Sequence, residues 1–267
     1  MIALIMAGLA LITVVVVATT YDSLFLSSHK ELAIVERETL DRLERIIKEK
    51  YEKDAALLEA NPTTAQTIFG VTGLTTLAKE QGYNIPFALL RTAVSNPQTS
   101  GAVQYLNIYV WLPHHVSDSS HYDPSTDTMY ANTGVMWRRV SGLPIEQARY
   151  EASNALLQAW ARSFELRARA KWEADPLRDV TRNYFIDSFV VGAESIGSIP
   201  TYTALNALPH VTGLLGAGNV PTSNAWGSDV EISNGQDASL VAPFTMALRT
   251  RTPWGTYIGA RAVQQTN

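Results

Sequence analysis

The chain has 267 residues, a net charge of −4 and only 17% charged residues. A soluble domain usually carries about 25%, and this slight acidity lacks the excess of Lys and Arg that a general nucleic-acid binder needs. Cysteine is absent, which excludes a disulfide scaffold, thiol catalysis, iron–sulfur clusters and cysteine zinc sites.

The charge is spread unevenly. Residues 1–21 carry none, whereas residues 30–59 hold 16 of the 46 charged side chains. Residues 2–19 read IALIMAGLALITVVVVAT, with Gly8, Thr13 and Thr19 as the only non-apolar members. As a helix this run spans roughly 27 Å, near the minimum that crosses a bilayer. A signal peptide would carry a basic segment before the run and a small-residue cleavage site after it. Here the first positive charge is Lys30.

No Pro or Gly interrupts the segment from Asp22 to Ala60, and Asn61-Pro62 closes it. Leu32, Val35, Leu43, Ile46, Ile47, Leu57 and Leu58 recur at helical spacing. Glu38–Arg42, Asp41–Arg45, Glu44–Lys48 and Glu49–Lys53 are acid-before-base pairs four apart. The pattern predicts one N-terminal helix of ~85 Å, apolar in its first part and amphipathic in its second.

Beyond it, 72–80 and 86–94 read as short helices. Residues 103–112 (VQYLNIYVWL) form the strongest strand pattern, closed by Pro113. A polar loop follows at 114–134, with short strands expected near 129–131 and 135–140. Pro144 suits the first turn of a second long helix reaching Ala174. Ile145, Ala148, Ala152, Leu156, Ala159, Trp160, Phe164 and Leu166 are its expected apolar stripe. Residues 184–191 read as a strand and 192–236 as an irregular connector. Residues 240–249 and 256–263 read as two strands joined by a turn at 251–255.

Chemistry-bearing motifs are sparse. His114, His115 and His121 cluster with Asp118, Asp123 and Asp127. Their spacing matches no zinc or EF-hand pattern, so a solvated polar loop is favoured over a metal site. Ser27–Lys30 matches S-x-x-K, but S-D-N and K-T-G are missing. Gly213, Gly216 and Gly218 read as turn residues rather than a phosphate cradle. The six tryptophans read as buried anchors before a sugar platform. No constellation supports an enzyme, and no cofactor is expected.

The order of parts resembles the type IV pilin family in mature form, which includes type II secretion pseudopilins and minor pilins. The resemblance covers residues 1–60 in organisation. It extends loosely to 103–113 and 237–264, with Asn224-Ala225-Trp226-Gly227-Ser228 and Val230-Glu231-Ile232-Ser233 before the last two strands. It implies an α+β fold in which the long N-terminal helix packs on an antiparallel sheet, with additional helices. The implied division is a membrane or filament-core helix at 1–28, its amphipathic continuation at 29–60 and a globular domain at 61–267. Met1, Ile2, Leu4, Ile5, Leu9, Leu11, Val14, Val15, Val16 and Val17 would form the core, with Met1 the methylated residue left by prepilin processing. The implied partners are other copies or pilin subunits, the assembly machinery and the inner membrane before assembly, and the implied place is a cell-surface filament. The long second helix at 144–174 implies an enlarged domain, as in type IVb or large minor pilins, and other departures point to a minor or unusual subunit. Ile5 stands where Glu is typical, Asp22 where Pro is frequent, and the C-terminal disulfide is impossible. The alternative is a single-pass anchored binding or sensory domain with the charged segment as its stalk.

Overall fold

A computed structural model describes residues 33–56, 91–113, 117–185, 202–208, 220–233 and 242–265. These form two compact units.

The first unit holds the described residues up to 50, 91–96 and 107–140. Helix α1 starts in it and covers residues 33–56. Within this unit its buried side chains are Thr39, Leu40, Leu43 and Ile47, a narrow stripe at spacings of three and four. Val35, expected on the stripe, is 46% exposed. Of the expected pairs, Glu44 and Lys48 meet at 2.7 Å, while Asp41 reaches Arg138 at 3.0 Å. The unit's sheet has the order β1 (Arg91–Val94), β4 (Asn107–Leu112), β7 (Met136–Ser141). All six residues of β4 are buried, as a central strand covered on both faces requires. The expected helix at 86–94 is corrected at its described end. Residues 91–94 pair antiparallel with β4, from Arg91 opposite Trp111 to Val94 opposite Ile108. Tyr109, Trp111 and Val135 form a small core with Ala93, Tyr122 and Met129. A hairpin of β5 (His121–Asp123) and β6 (Thr128–Tyr130) completes the unit.

The second unit holds the described residues of 51–65, 97–106 and 141–267. It contains β2 (Gln98–Ser100), β3 (Val103–Tyr105), α2 (Leu143–Ala174) and β8 (Tyr202–Ala204), followed by a 3₁₀ turn at Leu205–Ala207. Then come β9 (Val230–Ser233), β10 (Thr245–Arg251) and β11 (Tyr257–Val263). The strand expected over 103–112 is in fact two. β3 pairs with β2, and the chain breaks at Leu106. There the Leu106 N–H donates to the Tyr51 hydroxyl at 3.2 Å, and its carbonyl accepts the Gly142 N–H at 2.8 Å. Both backbone groups are satisfied outside any ladder, so the break carries no orphaned polar group.

Strands β8 to β11 form one antiparallel sheet in sequential order. Helix α2 lies on it. Leu157, Trp160, Ala161, Phe164 and Ala168 join Val230, Ile232, Met246, Leu248, Ile258 and Ala262 in one buried cluster. This corrects the expectation of a long N-terminal helix, apolar in its first half, as the partner of the sheet. Among the described residues no helix is long and apolar enough to cross a membrane. The described N-terminal helix is the charged segment 33–56, and the helix laid on the four-stranded sheet is α2. The reason is surface chemistry. α2 carries a wide aromatic stripe with Trp160 and Phe164, whereas α1 offers a narrow one between charges. The apolar segment 2–19 lies outside the described residues.

The expected strand at 184–191 begins in a turn at Tyr184–Phe185, and its remainder lies outside the described residues. The expected connector 192–236 contains β8 and β9.

Candidate functional site

The residues expected to form an assembly core, Met1, Ile2, Leu4, Ile5, Leu9, Leu11 and Val14–Val17, all lie outside the described residues, as do Ser27–Lys30 and the three glycines of 213–218. The described chain places three other groups of polar side chains.

The first is the aspartate-rich hairpin of the first unit. Each aspartate is spent locally. Asp118 Oδ1 accepts the Ser120 N–H at 2.8 Å and the Asn132 amide at 2.7 Å. Asp123 accepts the N–H and hydroxyl of Ser125, at 2.8 and 2.7 Å, and these bonds hold its carboxyl below the usual range. Asp127 Oδ1 accepts the Tyr122 hydroxyl at 2.7 Å and the Tyr109 hydroxyl at 3.2 Å. The two rings stack 4.6 Å apart. Burial, with the carboxylate beside them, pushes both phenols up. His121 stacks on Tyr130 at 5.4 Å, and its Nδ1 lies 2.8 Å from the Ser119 carbonyl. His114 and His115 lie outside the described residues. Among the described residues no group of three or more His, Asp or Glu is placed to hold a metal ion. The bonds of Asp123 and Asp127 close the turn between β5 and β6. Asp127 itself has φ +49°, a left-handed conformation that Asp tolerates better than most residues.

The second group was not legible in the sequence. Glu146, in the first turn of α2, is fully buried. The Trp226 indole N–H donates to its Oε2 at 2.6 Å. Its Oε1 has no partner among the described residues. Burial pushes this carboxyl up to about 7, against the opposing pull of the indole bond and of Arg149. The turn carrying Trp226 is tightly built. Asn224 Oδ1 accepts the N–H groups of Trp226 and Ser228, and Asn224 Nδ2 donates to Thr250 Oγ1 and the Arg251 carbonyl, all at 2.9 Å. Gly227 has φ +86°, which a side chain would strain. Ala225 N–H donates to Ser153 Oγ, and Arg149 donates to the carbonyls of Ala225 and Glu52. Trp254 meets Trp226 edge to face at 5.4 Å. The buried face of α2 therefore runs Glu146, Ser153, Leu157, Trp160, Ala161, Phe164, Ala168. Expected stripe members Ala148, Ala152 and Ala159 are exposed, and Leu166 is 60% exposed. An apolar count misses this face because two of its positions are polar. Their registry with Leu157 and Trp160 was the available signal.

The third is a stacked ladder across β8–β11. The Arg249 guanidinium lies 3.6 Å from the Tyr202 ring centre and 4.3 Å from that of Tyr257, and its Nε meets Glu231 at 2.7 Å. Three of the six tryptophans are buried as expected, and Trp137 is exposed. Trp160 is buried with its N–H on the Pro221 carbonyl at 2.9 Å, and Trp111 and Trp226 are buried. No protein-family model, curated protein or solved structure matches the chain.

Proposed function

We propose that the chain is a structural, non-catalytic subunit of a type IV pilus-like filament, held in the inner membrane before assembly and then exposed on the cell surface. The observation that carries this reading is the charge-free run of residues 2–19 followed, from residue 30, by a densely charged segment. Such a run is stable only where water is excluded, in a bilayer interior or among copies of itself in a filament core. The interface is heterologous, so it propagates without closing. The two described units supply the outer surface. Their aspartates and tyrosines are tied into turns, which suits a durable scaffold.

The test is Val15→Asp in cells that display the protein. A charge in the dry core abolishes incorporation into filaments while the chain is still made and inserted. Normal filaments from this variant refute the reading. The mass of the N-terminal peptide separates the alternative. A methylated Met1 downstream of an encoded leader supports the filament, and an unmethylated Met1 that is the translation start supports an anchored binding domain.

A further inference from the structure

The second unit contains a cleft between α2 and the edge strand β11, with a volume of about 510 Å³. That is within the ~300–1,000 Å³ typical of small-ligand sites. Arg162, Arg169 and Arg261 line it with Glu165, Gln158 and Gln265. Arg162, Glu165 and Arg169 stand at i, i+3 and i+7 and so share one face of α2. Arg162 and Arg169 are about 10 Å apart along the axis. Arg261 comes from the strand.

The charges do not cancel. Glu165 Oε1 accepts the Val263 N–H at 3.0 Å and so caps the strand edge. Arg169 Nε is paired with Glu173 at 2.9 Å. Arg162 and Arg261 have no acidic partner among the described residues. Two guanidinium groups thus line a hollow with no hydrogen-bond or ion-pair partner among the described residues, and their forked donors have the geometry that takes carboxylate or sulfate oxygens in pairs. Gln158 and Gln265 each add an amide that both donates and accepts, which suits hydroxyl groups. The edge cap from Glu165 opposes the addition of a peptide as a further strand, because the Val263 N–H is taken.

We propose that this cleft binds an acidic saccharide, its carboxylate or sulfate groups on Arg162 and Arg261 and its hydroxyls on Gln158 and Gln265. The site rests on the second unit alone and holds for a filament subunit or an anchored domain.

The test titrates the full chain in a neutral detergent by calorimetry. The probes are a sulfated uronate disaccharide, its desulfated form, an uncharged disaccharide, inorganic sulfate and hexaglutamate. The expected result is binding of the anionic disaccharides, weakened by salt, with no binding of the uncharged one. The tighter of the sulfated and desulfated forms identifies the anionic group. Arg162→Ala and Arg261→Ala each weaken binding about tenfold, as loss of a charged hydrogen-bond donor does. Arg178→Ala, which removes the same charge outside the cleft, leaves it unchanged. Circular dichroism confirms that each variant is folded. The proposal is overturned if no anionic disaccharide binds or if the uncharged one binds equally. It is also overturned if inorganic sulfate or hexaglutamate binds more tightly than either, or if both cleft variants bind like the parent.

Discussion

Glu146 makes the stability of the second unit depend on pH, and Glu146→Gln removes that dependence. In the unfolded chain its carboxyl titrates near the ordinary 4.5, and in the fold near 7. Below 4.5 the group is protonated in both states, and its contribution to stability is complete. As pH rises toward 7 the unfolded chain releases the proton first, so the unfolded state gains and the fold loses. Above 7 both states are ionised and the loss stays constant. At about 1.4 kcal/mol for each tenfold difference in proton affinity, the loss amounts to roughly 3 kcal/mol. Gln keeps an oxygen for the Trp226 indole N–H and carries no charge at any pH. Its amide adds a buried donor at the Oε1 position, which costs about 1–3 kcal/mol at every pH alike. The assay is urea unfolding of parent and variant at pH 4.5 and pH 8, followed by tryptophan fluorescence. The parent's stability falls by ~3 kcal/mol relative to the variant between the two conditions. Other carboxyls titrate equally in both chains and drop out of the comparison. A parent-to-variant difference that is the same at both pH values refutes the reasoning, and with it the burial of an ionisable Glu146.

Two further substitutions probe close packing and turn chemistry. At Gly142 an added Cβ runs into the ring of the buried Tyr51; Gly142→Ala therefore destabilises by about 1–3 kcal/mol, read as a lowered thermal midpoint by circular dichroism. An unchanged midpoint would mean that the Tyr51 ring does not lie against this backbone. Asp127→Ala leaves the Tyr122 hydroxyl without its 2.7 Å acceptor and puts Ala in the left-handed region. It costs about 1–3 kcal/mol in denaturant titrations, whereas Asp127→Asn, which keeps an acceptor and tolerates the backbone, costs under about 1 kcal/mol.

Much of the local order is carried by the sequence alone. Pro144 and the Asp175-Pro176 pair bracket α2 because proline is accepted in a first turn and drives the residue before it out of helical geometry. The turn between β10 and β11 follows from Pro253 and Gly255, the latter at φ +89°. The β-branched and aromatic residues of 107–112 favour a strand, and β4 forms there. The charge-free run of residues 2–19 is a property of composition and needs no fold to be recognised.

Only the tertiary structure decided the rest, because the deciding interactions join residues far apart in the chain. Residues 103–112 look like one strand, yet Tyr51 and Gly142 take the backbone groups of Leu106 and divide it. Arg91–Val94 has little preference of its own and becomes a strand because β4 offers it a ladder. Glu146 stands in the first turn of α2, and Trp226, 80 residues away, takes its carboxylate in the core. The same holds for the arginine cleft. Arg162 and Arg169 lie off the expected apolar stripe, and only the placement of β11 brings Arg261 to line a hollow with them. Periodicity reports which side chains avoid water, and it is silent on which partner excludes that water. That choice set α2, rather than the charged N-terminal helix, on the four-stranded sheet.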